Sequence, residues 1–126
     1  PLTGMNKSGK AVKEFCINQG LLLSNVHVIV DDIDLPLGKL RIRPKGGDGC
    51  HRGMESIIYQ NSDDNFPRIR FGIAVGSKLR PSEQYVLKDF KKSDQNLADE
   101  MIVRAADAAE LIFEDGLNKA MNKYNA

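Results

Sequence analysis

"KLRIRPKGGDGCHRGMESIIYQ", residues 39–60, contains a change of period. In its first seven residues Lys39, Arg41, Arg43 and Lys45 share one parity, and Leu40 and Ile42 the other. That alternation is the pattern of a strand with one basic face. From His51 onward the apolar residues Met54, Ile57 and Ile58 recur at spacings of three and four, which predicts a helix over 51–60. Four glycines lie in the connecting stretch 45–53. Strand, glycine loop and helix in this order are the layout of a phosphate cradle.

The standard nucleotide patterns do not fit that loop. The dinucleotide fingerprint requires glycine three positions after Gly49, where Arg52 stands, and a P-loop requires Gly-Lys-Ser/Thr. Glycines there let a backbone approach a ligand closely. They equally suit a mobile turn, and both readings stay open on these residues alone.

Outward from the loop, the same two periods recur. Residues 26–30, "VHVIV", form a β-branched run expected of a strand buried on both faces, ended by Asp31 and Asp32. Residues 67–75, "PRIRFGIAV", alternate, with Arg68 and Arg70 on one side and Ile69, Phe71, Ile73 and Val75 on the other. Residues 8–19 read as a helix capped by Ser8 and ended by Gly20, with Ala11, Val12, Phe15 and Cys16 on one face. Residues 93–114 read as the longest helix, striped by Leu97, Met101, Ala105, Ala108 and Ile112. A polar linker is expected at 76–82, and a short helix at 117–124. The class is therefore α/β, a mixed central sheet flanked by helices. Three strands are fewer than the usual ~5–6, so an N-terminal part of the sheet is expected to lie outside these residues.

A length of 126 residues suits one domain, 1–126, around one core. The net charge of +1 means that a nucleic-acid partner would have to meet basic residues gathered on one surface. Lys39, Arg41, Arg43, Lys45, Arg68 and Arg70 are candidates for such a patch, or for an ordinary solvated face. Two cysteines, Cys16 and Cys50, form no disulfide framework. Reduced thiols fit a cytoplasmic or organelle-matrix setting. No apolar run reaches the ~18 residues of a membrane helix, and no membrane partner is expected.

Asp31 and Asp32 stand where open α/β sheets place ligands. They either orient a histidine or simply hydrate a strand end. No histidine–carboxylate spacing near them matches a metal set, so no metal is expected. His27, inside an apolar run, reads as a packed strand residue. His51, just past the glycines, is either a proton-transfer or hydrogen-bonding group or a plain helix-start residue. Asn6, with Met5 before it, is either a helix cap or an amide that donates and accepts at a site.

Six stretches in order resemble the bacterial-type peptidyl-tRNA hydrolase family: "MNKSG" at 5–9, "DDIDLPLGKLRIRPKGG" at 31–47, "GDGCHRGMESII" at 47–58, "FPRIRFGI" at 66–73, "YVLKDF" at 85–90 and "DGLNKAMNKYN" at 115–125. The resemblance implies cleavage of the ester joining a peptide to the terminal ribose of tRNA, with peptidyl-tRNA as partner, no cofactor and a monomeric protein. By the same resemblance, Asp31 is similar to the acid that orients the catalytic histidine, and Asn6 to the amide that positions substrate and water. Met5, His51, Arg52 and Gly49 line the cleft for the peptide and acceptor end. Arg41, Arg43 and Arg70 match basic positions associated with tRNA.

The chain departs from the family pattern at Gly4, Cys50 and Arg52, where an aromatic, a glycine and an asparagine are usual. The family's general base lies in a GNPG…TRHN segment that is not among these residues. Loss of a general base costs ~10²–10⁴-fold in rate, so these 126 residues by themselves are expected to show residual hydrolysis at most. A non-catalytic RNA-binding descendant, a splicing factor or ribonucleoprotein subunit, is the alternative expectation.

Overall fold

The structure, a computed structural model, describes residues 7–49, 51–74 and 92–125. Within them the order is α1 (Ser8–Gln19), a 3₁₀ turn (Leu23–Asn25), β1 (Val28–Pro36), β2 (Leu40–Arg43), α2 (Arg52–Asn61), β3 (Arg68–Ala74), α3 (Lys92–Asp115) and α4 (Leu117–Tyr124). The chain gathers into two compact units, one of residues 1–28 and 43–68, the other of residues 29–42 and 69–126. The expected linker at 76–82 and "YVLKDF" lie outside the described residues, as do Met5, Asn6 and Cys50.

In the first unit α1 packs on α2. Gly9 makes the approach possible, because a Cβ there would run into the backbone of Ser56 and lie 2.8 Å from the Gln60 Cβ. The Gly9 N–H donates to Ser56 Oγ at 2.9 Å, and Asn61 Nδ2 donates to the carbonyls of Ile57 and Gly9 at 2.8 and 3.4 Å. Gly20 closes α1 in the left-handed conformation, φ 66°, as its position predicted. Two expectations for α1 do not hold. Ser8 is the first helical residue and Lys7 takes the cap position, with no side-chain cap bond. Phe15 is 54% exposed, whereas Cys16 is buried. The buried side of α1 runs through Ser8 and Gly9, small residues whose role in close packing a hydrophobicity pattern does not register.

The second unit holds nearly all of a three-stranded sheet of order β1-β3-β2, together with α3 and α4. Hydrogen bonds from Val28 N to Pro67 O and from Leu37 N to Ala74 O advance along both strands together, so β1 and β3 are parallel. Bonds from Gly72 N to Lys39 O and from Gly46 N to Asp64 O run in opposite senses, so β2 is antiparallel to β3. The sheet is mixed, as expected. β2 stops before Pro44, which has no N–H for a ladder. β1, by contrast, does not end at the acids. It continues through Asp31, Asp32 and Asp34 to Pro36, because pairing with β3 along its length outweighs the low strand preference of aspartate.

Leu40, Ile42 and Ile69 form one core with Met101, Ala105, Ala108, Ile112 and Ala120, so α3 and α4 cover one face of this sheet. The predicted stripe of α3 is confirmed at four of its five positions, with Ala98 rather than Leu97 buried at the N-terminal end. Asn125 clasps β2 from the chain's far end. Its side chain accepts from Ile42 N at 2.7 Å and donates to Ile42 O at 3.0 Å, pairing backbone groups of an edge strand.

Candidate functional site

The glycine loop lies wholly in the first unit, and its conformation is specific. Gly46 and Gly49 have φ of 151° and 58°, values that side-chain-bearing residues rarely adopt. Three of its backbone groups bond within the protein. Gly46 N donates to Asp64 O, and Asp48 O accepts from His51 N at 3.0 Å. Gly47 O accepts from Arg68 Nη1 at 3.0 Å. A phosphate nest would present successive N–H groups to a ligand. In this loop one carbonyl, that of Gly47, meets the buried guanidinium of Arg68.

His51 follows the loop and is the N-cap of α2. Its Nδ1 accepts from Met54 N at 3.2 Å. An accepting Nδ1 carries a lone pair, so the proton of the neutral ring sits on Nε2. In that state the ring acts as a donor through Nε2, not as a base through Nδ1. Of the two roles left open on sequence grounds, the helix-start role is the one this bond records.

From Arg52 onward, α2 carries a cavity of about 480 Å³ lined by Arg52, Glu55, Ser56, Tyr59 and Gln60. Ser56 connects this wall to α1, because its Oγ holds the N–H of Gly9. Gly9 follows Asn6 by three residues in the chain. Thus, within one unit, Gly49 and His51 lead into the helix that begins at Arg52 and receives the first turn of α1. Ser56, Tyr59 and Gln60 were not singled out from the sequence. Helical spacing from Arg52 through Ser56 to Tyr59 would have shown that these residues share one face.

Of the other candidates, Asp31, Asp32, Lys39, Arg41 and Arg70 belong to the second unit, and His27, Arg43, Lys45 and Arg68 to the first. Asp31 is half-buried within β1. Its neighbour Asp32 accepts from Asp34 N at 2.8 Å and lies 3.9 Å from Arg70 Nη1. Arg41 and Arg43 are exposed on β2, as a basic face requires. Arg70 and Arg68 are not. Arg70 is 9% exposed and Arg68 is 1% exposed. The expectation of one solvated basic face across both strands is therefore corrected. The central strand, with a neighbour on each side, holds its arginines against an acid and against backbone carbonyls. His27 is half-buried just before β1 rather than within it, and desolvation lowers its pKa.

Among the described residues no group of three His, Cys, Asp or Glu side chains is placed to share a metal ion. Among the same residues no helix is long and apolar enough to cross a membrane.

A model of the peptidyl-tRNA hydrolase family matches residues 1–126. A peptidyl-tRNA hydrolase of Thermoanaerobacter sp. (strain X514) is 46% identical over 125 residues, covering 99% of this chain and 67% of its own length. One of Desulforudis audaxviator is 42% identical over 126 residues, covering 63% of its length. The crystal structure of peptidyl-tRNA hydrolase from Acinetobacter baumannii superposes with a TM-score of 0.86 at 29% identity, over 100% of this chain and 64% of that one. The chain thus spans about two thirds of the length of the relatives it matches. On a match that runs from its first residue to its last, the chain belongs to the peptidyl-tRNA hydrolase family.

Proposed function

We propose that the protein carrying this chain hydrolyses the ester bond between peptide and tRNA in peptidyl-tRNA, returning free tRNA, with residues 1–126 part of a single catalytic domain. The observation that carries the reading is the unbroken match to peptidyl-tRNA hydrolases along all 126 residues. In this reading Asp31 orients the histidine that activates water, and Asn6, beside Met5, positions water and the reacting carbonyl. His51, Arg52 and Gly49 border the place of the peptide and acceptor end, His51 donating through Nε2. Arg41 and Arg43, exposed on β2, meet phosphates. Arg70 can do so only by leaving Asp32, and its first task is to neutralise that acid. The protein would act as a monomer, in the cytoplasm or an organelle matrix where translation runs.

The test is peptide release from a model peptidyl-tRNA by the full-length protein. The Asp31→Asn variant should lose at least ~10²-fold in kcat, as expected when an oriented base loses its partner. A wild-type protein that binds tRNA and releases no peptide would establish the alternative, RNA binding without hydrolysis.

A further inference from the structure

Arg68 is 1% exposed, the largest fully buried side chain among the described residues. A buried guanidinium needs its donors met, or it is strongly destabilising. Here Nε donates to Phe66 O at 3.0 Å, Nη2 to Asp64 O at 2.8 Å and Nη1 to Gly47 O at 3.0 Å. The guanidinium carbon also sits 4.4 Å from the centroid of the Phe66 ring. A planar group that spreads five donors over three nitrogens in a fixed fork can meet three separately placed carbonyls, whereas a lysine carries its three donors on a single nitrogen.

These acceptors come from two segments. Asp64 and Phe66 belong to the approach to β3, and Gly47 to the glycine loop. A second tie, from Gly46 N to Asp64 O, joins the same segments. One residue beyond Gly47, the carbonyl of Asp48 holds the N–H of His51, whose Nδ1 in turn holds Met54 N. A short run of bonds thus leads from Arg68 through Gly47 and Asp48 to His51, all inside the first unit. The loop's glycines at positive φ do not hold this shape unaided, since glycine is free to adopt others.

We infer that Arg68 is a positioning residue: its guanidinium fixes the glycine loop and thereby the imidazole of His51 for the acceptor end of the substrate. The inference rests on the proposed reading of His51 and Gly49. It assigns Arg68 to the interior of the loop and removes it from any surface that meets phosphates.

The experiment compares wild type and Arg68→Lys in the full-length protein. The KM for peptidyl-tRNA should rise roughly 5–10-fold while kcat stays within about twofold, the signature of lost binding rather than lost chemistry. In protein with nitrogen-15-labelled histidine, the His51 ring should lose its single Nε2–H tautomer, while the His27 signals stay in place as a control. Should Arg68→Lys not fold, Phe66→Leu keeps all three carbonyls, removes the ring beneath the guanidinium and should shift both readings the same way to a smaller extent. A folded variant with lowered thermal stability but wild-type KM, or with unchanged His51 signals, reduces Arg68 to a structural residue and overturns the inference. If the wild type releases no peptide, the hydrolase reading falls and the His51 signals alone decide on Arg68.

Discussion

His51 joins an observed role in the fold to a proposed role in the site. Its Nδ1 caps α2, and loss of an N-cap acceptor costs ~1 kcal/mol. Its other nitrogen is the one proposed to face substrate. Two substitutions separate these tasks. His51→Ala should lower unfolding free energy by roughly 1 kcal/mol and weaken substrate binding as well. His51→Asn retains a capping acceptor and should recover most of that stability, followed by denaturant midpoint, while KM stays raised. Equal stability of the two variants would show that the cap bond contributes nothing. The neighbouring residue makes the opposite point. Arg52 is exposed at the first turn of α2 and lines its cavity, where the family pattern carries a neutral amide. A donor-only cation there favours an anionic neighbour over a carbonyl–amide pair.

At the level of elements, the decisive contacts are made by the smallest residues. Gly9→Ala would normally gain ~1 kcal/mol from helix propensity. Here the added methyl meets the Ser56 backbone, which cannot swing aside as a side-chain end can. Overpacking of this kind costs ~1–3 kcal/mol, so the clash should win and the denaturant midpoint should fall. A midpoint that rises would mean that α1 and α2 part easily. Gly72 plays the equivalent part within the sheet, where a Cβ would collide with the carbonyls of Leu35 and Pro36. Both glycines lie in motifs that the sequence presented whole, "MNKSG" and "FPRIRFGI". Their packing role was invisible there, because the obstructing atoms belong to segments far along the chain.

For the whole molecule, charge must act through distribution, since the net value is only +1. Arg41 and Arg43, exposed on β2, are among the cations that a polyanion can meet. Arg41→Ala together with Arg43→Ala should weaken tRNA binding and reduce the slope of log K against log salt by roughly 1–2, since each lost phosphate contact removes about one released counterion. Unchanged affinity and slope across salt concentrations would return these arginines to the role of a solvated face. The same substitutions at Arg68 or Arg70 would disrupt buried interactions instead and would be read in stability first.

The sequence by itself determined the class of the fold, the order of the described α-helices and strands, and the family. These are legible because period depends on neighbours two, three or four residues away, and because six motifs in order are a one-dimensional property. The alternation of "PRIRFGIAV" likewise placed Arg68 and Arg70 on a common side of their strand. Only the tertiary structure decided what that side faces. Parity assigns a residue to a face but not the atoms that cover it. A central position in the sheet, an acid on β1, two carbonyls just upstream of Arg68 and one from the distant glycine loop turned an apparent surface charge into an internal clamp.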